Sequence, residues 1–324
     1  MKISKEKLLQ ESEATGFRPE IIEKVFHVLH LLEILYGHPF LKGRLALKGG
    51  TALNLFIFDL PRLSVDIDLN YIGSHQLAVM SKERPKIEEA LRAVCGREGF
   101  AVRRFPREHA GGKWSLRYES AIGKGGDLEI DLNFMFRTPL WPVAMKDSKA
   151  IGSYKIHQIP VLDTHEIAGG KLTALLARHA VRDLFDAHQL LTKGGLERER
   201  LRLAFVVYGA VNRKDWRTVS VDDLRFDAGE IENQLLPLLR REFLPNIDRS
   251  AEWARQLVEE CKDLLTVVLP FSESEREFLN RLLDRGEIDS SLLTSNEDLG
   301  ERIKKHPLIE WKAINVRQYK KILN

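Results

Sequence analysis

The sequence predicts an α+β protein in which a mixed sheet flanked by helices is followed by a mainly helical C-terminal domain. Three observations predict it. The stretches "SVDIDLNYI" (64–72) and "DLEIDLNFMF" (127–136) alternate apolar and polar residues with the period of a half-buried strand. Segments with helical spacing of apolar residues lie before and between them, so strands and helices interleave. From about residue 163 the pattern becomes almost wholly helical, which places a domain boundary near 160.

Residues 1–40 are expected to form N-terminal helices packing on the core. Ile22, Val25, Phe26, Leu29 and Leu32 recur at helical spacing across 19–36, and Pro19 suits a first-turn position. A short strand "RLALK" (44–48) follows. The Gly49-Gly50-Thr51 turn then opens a helix running to about Phe58, and the loop "DLPR" (59–62) with Pro61 stops it. On the strand of 64–72, Val65, Ile67, Leu69 and Tyr71 share one face, and Asp66, Asp68 and Asn70 the other. A helix over 81–98 precedes three strands, "AVRRF", "WSLRYES" and "DLEIDLNFMF", the last two joined by the hairpin-like turn "AIGKGG" (121–126). These elements assign 41–160 to one domain and 161–324 to a helical one. Asp163 with Glu166 three residues on has the pattern of a capping box.

The 324 residues, 44% of them apolar, suffice for two domains with a substantial core. A formal net charge of +3 is far from that of a dedicated duplex-DNA binder and confines any nucleic-acid contact to a local patch. One such patch spans 301–324, where Arg302, Lys304, Lys305, Lys312, Arg317, Lys320 and Lys321 stand against Glu301 and Glu310. It reads equally as a solvated helix face or as an RNA-facing one. Cys95 and Cys261 lie far apart without metal-ligand spacing, which argues against a disulfide framework or a zinc site and fits a reducing cytoplasm. The polar N-terminus and the shortness of runs such as "LLTVVL" (264–269) predict a soluble cytoplasmic protein with no membrane partner.

Residues two apart on a strand point the same way, so Asp66 and Asp68 converge on one place. If the two acidic strands pair with their polar faces aligned, Asp131 joins them. Three neighbouring carboxylates repel and raise one another's pKa unless a cation sits among them. The expected occupant is Mg²⁺, with Mn²⁺ as the alternative, because hard carboxylate oxygens suit such an ion and substrate phosphates complete its shell. Gly49, Gly50 and Thr51 supply the complementary half, since glycines let a ligand approach the backbone and exposed amides favour an anion such as a nucleoside triphosphate. Neither "LKGGTALN" nor "GKGGD" matches a P-loop. Taken singly, Asp-x-Asp also describes a solvated strand face, and Gly-Gly an ordinary turn.

Further along, Lys171, Ala174 and Arg178 fall on one side of a helix, away from Leu172, Leu175 and Leu176. That cationic side suits triphosphate oxygens or solvent. Arg182 and Asp186 are spaced for an intrahelical pair, while Asp183 and Asp186 are also placed to orient Lys171 or Arg178 or to contact the nucleotide. His165, His179 and His188 read as capping, surface or packing residues. Of the five tryptophans, Trp311 in the basic run is the exception to an expected core role.

Gly-Gly-Thr opening a helix, Ser-x-Asp-x-Asp on the next strand and a further Asp on a later strand resemble the polymerase-β-like nucleotidyltransferase superfamily. "LALKGGTALNLF", "RLSVDIDLNYI", "HEIAGGKLTALLARHAVRDLFDAHQLL" and "HPLIEWK", in that order, resemble the AbiEii/AbiGii toxin family of bacterial abortive-infection and toxin–antitoxin systems. The resemblance implies a polymerase-β-like nucleotidyltransferase domain. It puts Gly49, Gly50, Thr51 and Ser64 at nucleotide phosphates and Asp66 and Asp68 at metal. It matches Lys171 to the lysine of the family's K-x-x-A helix and Asp183 and Asp186 to the acids of its R-D-x-x-D helix. It implies Mg²⁺-dependent transfer of a nucleotide from an NTP to an acceptor, the 3′ end of tRNA, blocking translation and growth, and a cognate antitoxin as partner. Transfer to a protein or small-molecule hydroxyl, and a catalytically silent nucleotide- or RNA-binding module, are the alternatives. An Asp-x-Asp glycosyltransferase fits poorly with Gly-Gly-Thr immediately upstream.

Overall fold

The computed structural model describes residues 3–59, 61–106, 108, 110–123, 125–225, 228–244 and 250–323. Leu60 and Lys124, in two of the expected turns, and the side chains of Lys320 and Lys321 in the basic run lie outside the described residues. Two compact units result. The first comprises Met1–Arg137, Val143–Leu162 and Leu236–Leu244, and the second Thr138–Pro142, Asp163–Leu235 and Pro245–Asn324.

The first unit is built on a seven-stranded mixed sheet. Its strands are β1 (Leu45–Lys48), β2 (Ile67–Tyr71), β3 (Ala101–Arg104), β4 (Gly111–Tyr118), β5 (Gly126–Asn133), β6 (Ala144–Lys146) and β7 (Ile159–Val161). Across the sheet they run β3-β4-β5-β2-β1-β7-β6. β2 runs parallel to β5 and antiparallel to β1, so the two acidic strands are neighbours. Ile67, Leu69, Tyr71, Leu128, Ile130 and Leu132 are almost fully buried on the apolar face. Helices α1 (Lys5–Thr15), α2 (Pro19–Gly37) and the short α3 (Gly49–Ala52) precede β2, and α4 (Leu77–Arg97) follows it. Of these, α2 packs on β5 and β7, and α4 on β3. Pro19 occupies the first turn of α2, where its missing N–H costs no hydrogen bond. After α3 the chain continues as one wide turn, Leu53–Ile57.

Two features of the sheet depart from the sequence expectation. β6 and β7 are strands of three residues, too short to show a period, and β7 contains Pro160. The strand expected from Ser64 begins only at Ile67, leaving Asp66 in a bend. The reason lies in its neighbour: β1 ends opposite Asp68 at Lys48, where the chain turns into α3, so residues before Ile67 have no ladder partner on that side.

The second unit is helical, with α5 (Thr164–Arg178), α6 (Val181–Lys193), α7 (Arg198–Ala210) and later helices at Ser250–Leu264, Glu273–Asn280, Glu297–Lys304 and Pro307–Leu323. Gly169 explains how closely α5 meets α7: a methyl there would lie 2.6 Å from Ala204 Cβ and 2.8 Å from its backbone carbon. Asp163 caps α5 through the His165 N–H at 2.9 Å, but the expected second half of the capping box is absent. Glu166 instead turns inward and accepts hydrogen bonds from Tyr208 Oη at 2.8 Å and the Leu140 N–H at 3.0 Å. Among the described residues no helix is long and apolar enough to cross a membrane.

Burial pushes the Glu166 carboxyl up to about 7 against the bonds from Tyr208 and Leu140. A raised folded-state pKa gives stability that is fully present below the ordinary glutamate value and is lost as pH rises through about 7. The lost contribution is about 3 kcal/mol at most. Melting temperature is therefore expected to fall across that window. Glu166→Gln, which keeps an acceptor for Leu140 and can donate to the Tyr208 oxygen, should flatten the profile. An equally steep fall in the variant would show that another group governs it.

Candidate active site

Gly49 adopts φ +70°, and a methyl there would overlap Asp68 Oδ2, so glycine is what lets the Asp68 carboxylate lie against the turn's backbone. At Gly50 an added methyl would lie 2.9 Å from Ser64 Oγ and 3.4 Å from the Arg62 guanidinium. Gly49, Gly50, Ser64 and Asp68 therefore share one place. Thr51 is fully buried, and its hydroxyl donates to the carbonyl oxygen of Asp66. Asn54 Nδ2 donates to the Gly50 carbonyl at 2.7 Å. These two side chains fix the turn through its backbone.

The strand register lines up four charges across the sheet. Lys48 on β1 is opposite Asp68 on β2, Asp68 is opposite Asp131 on β5, and Asp131 is opposite Lys113 on β4. Directly opposed residues share a face, so two aspartates stand between two lysines. Burial pushes the Asp131 carboxyl above the usual range; Lys48 and Lys113 oppose this shift, and Asp68 and Glu129 add to it. Lys113 is held by Glu129 at 2.7 Å. Repulsion between the acids thus already meets the protein's own cations and does not by itself demand a metal. Among the described residues no three acidic, histidine or cysteine side chains are grouped to hold a metal ion. One residue further along this face, Asn70 is 1% exposed, and neither atom of its amide has a hydrogen-bond partner among the described residues.

Lys48, Asn54, Arg62 and Lys113 were not singled out by the sequence reading. Lys48 directly precedes the glycines, and Lys113 was within reach. The hairpin pairs Tyr118 with Gly126, and counting back along both strands brings Lys113 to Asp131.

In the second unit, Lys171 Nζ lies 2.8 Å from Asp183 Oδ1 and 3.0 Å from Asp186 Oδ2. Arg178 adds a bond to Asp183 Oδ2 at 2.6 Å. Both acids are almost fully buried, whereas the Arg178 side chain is 64% exposed. Burial alone would raise the Asp183 carboxyl, but the Lys171 charge and the Arg178 bond outweigh it and bring the group down to about 2. The cationic side expected on α5 is therefore a buried ionic cluster with α6. His165 bonds Asp163 at 3.0 Å, His188 bonds Glu260 at 2.6 Å and His179 forms the left-handed end of α5.

The basic C-terminal run is also engaged within the chain. Arg302 donates to the Pro139 carbonyl, Lys312 to that of Asn212 and Arg317 to that of Gly286, while Lys304 and Lys305 pair with Glu301. Trp311 is 54% exposed.

The profile of a family described as the nucleotidyl transferase AbiEii toxin of type IV toxin–antitoxin systems matches residues 31–281. The chain belongs to this AbiEii family. It is thus a nucleotidyltransferase toxin of a type IV toxin–antitoxin system, and AbiEii membership implies a nucleotide substrate and an antitoxin partner. Among solved structures, the AbiEii chain is similar to MenT4, a nucleotidyltransferase toxin from Mycobacterium tuberculosis H37Rv. The likeness covers 98% of this chain and 100% of that one, with a TM-score of 0.58 and 14% identity. At that identity it is a likeness of fold, and it agrees with the expected α+β architecture. Comparison with curated proteins by sequence found no match.

Proposed function

We propose that the protein transfers a nucleotide from an NTP to the 3′ end of tRNA, with Mg²⁺ or Mn²⁺ as cofactor. The observation that carries this reading is the Asp68 carboxylate lying against the backbone of the Gly49-Gly50 turn, with Ser64 beside Gly50. Backbone amides left open by the two glycines bind phosphate oxygens, and the Ser64 hydroxyl donates to another. Asp66 and Asp68 fit the ion's demand for one or two protein carboxylates, the remaining ligands being substrate phosphates and water. An ion held by these carboxylates would supply Lewis-acid polarisation of a phosphate. The acceptor hydroxyl oxygen bonds to the α-phosphorus, the bond to pyrophosphate breaks, and the hydroxyl proton is released. Lys48 and Lys113 keep the acidic row near neutrality between turnovers. The buried Lys171–Asp183–Asp186 cluster is a second requirement for activity.

The test is incubation of the purified protein with total tRNA and each labelled NTP in turn, with and without Mg²⁺, followed by separation of RNA, protein and small molecules. Label is expected in tRNA, with one NTP preferred and only when the ion is present. Label confined to protein or small molecules would reject the tRNA acceptor, and undiminished transfer in chelator would reject the ion.

A further inference from the structure

A cavity of about 670 Å³ opens on the polar side of the same sheet, lined by Arg104, Phe105, Glu108, Lys113, Asp131 and Asn133. Its volume falls in the range of about 300–1,000 Å³ typical of ligand sites. We propose that it receives the terminal ribonucleotide of an unpaired RNA acceptor, the base on Phe105 and the backbone phosphate at Arg104 and Lys113. This rests on the reaction proposed above and adds where the acceptor is held.

Four features carry the assignment. Phe105 is 39% exposed yet held in place, with the Arg92 guanidinium 4.6 Å from its ring centre and the Trp114 ring at 5.9 Å. A fixed, partly exposed aromatic is what unpaired bases stack on, with little regard to sequence. Arg104 is exposed and has no ion-pair partner among the described residues, whereas the described cations of the C-terminal run are all bonded within the chain. Arg104 is therefore available to a backbone phosphate of the acceptor. Asp131 and Glu108 add acceptor oxygens on the lining, suited to ribose hydroxyls, the groups that separate RNA from DNA. Finally, Asp131 sits one strand over from Asp68, a step of about 4.8 Å, so an acceptor hydroxyl at that end of the cavity neighbours the phosphate turn.

The test uses the full chain and a short 5′-labelled single-stranded oligoribonucleotide, with binding read by fluorescence anisotropy. Phe105→Ala and Arg104→Ala are each expected to weaken binding about 10-fold, consistent with loss of one stacked base or one phosphate contact. Phe105→Tyr keeps the ring and should bind as the parent does. Arg104→Ala should also lower the salt slope by about 1. Binding of a labelled NTP, measured separately, should stay within about twofold in all three variants, which shows that the fold and the phosphate turn are intact. Unchanged oligonucleotide affinity in both alanine variants, or no binding by the parent, overturns the proposal. The two readings fail separately. Binding that depends on Phe105 without label entering RNA would reject the reaction and keep the cavity's ligand, and label entering RNA with both alanine variants binding normally would do the reverse.

Discussion

Asp68→Asn is expected to lower nucleotidyl transfer by about 10²–10³-fold, the scale on which loss of one preorganised electrostatic group acts, while thermal unfolding stays close to that of the parent. Asparagine keeps the shape that lies against Gly49 but removes the charge. The row Lys48–Asp68–Asp131–Lys113 then carries a net positive charge and no longer attracts a divalent ion. Gly49→Ala should approach the same loss without removing a charge, because its methyl overlaps the Asp68 carboxylate and its positive φ is strained for alanine. Turnover of labelled NTP into acid-precipitable RNA, alongside a melting curve, is the measurement. Full activity in Asp68→Asn would remove this face from the chemistry.

Lys171→Met should destabilise the second unit by about 3–5 kcal/mol, since it leaves two buried carboxylates without the cation between them. Methionine fills similar space, so the defect is electrostatic and should shrink as the solution is acidified and the acids protonate. Arg178→Ala is the internal control. Its side chain is largely exposed, and solvent screening limits the loss to about 1 kcal/mol or less. Lys171→Arg should not restore the parent, because a planar fork cannot replace a compact ammonium between two acids. Denaturant titration of the three variants at two pH values decides this. Equal losses for Lys171→Met and Arg178→Ala would mean that the cluster is not the strongly coupled site its burial implies.

Local patterns carried much of what was legible. The alternation through Ile67, Leu69 and Tyr71, the helical spacing after Pro19 and the glycines ahead of an acidic strand are all short-range signals. The family, too, lay in contiguous motifs. Asp66 was misread as a strand residue because its place depends on where the partner strand β1 ends. Glu166 was misread as a capping residue because its partners, Tyr208 and Leu140, come from elsewhere in the chain. β7 was missed because three residues around a proline have no visible period, and only pairing with β6 and β1 makes them a strand.

By itself the sequence determined the α+β class, the nucleotidyltransferase family and the residue types brought to the phosphate turn, since these reside in spacing along the chain. Only the tertiary structure decided that Lys48 and Lys113 bracket the two aspartates, that Lys171 is locked between buried acids and that Arg104 and Phe105 line one cavity with Asp131. Charge balance depends on distances across strands and helices, and register and packing set those distances.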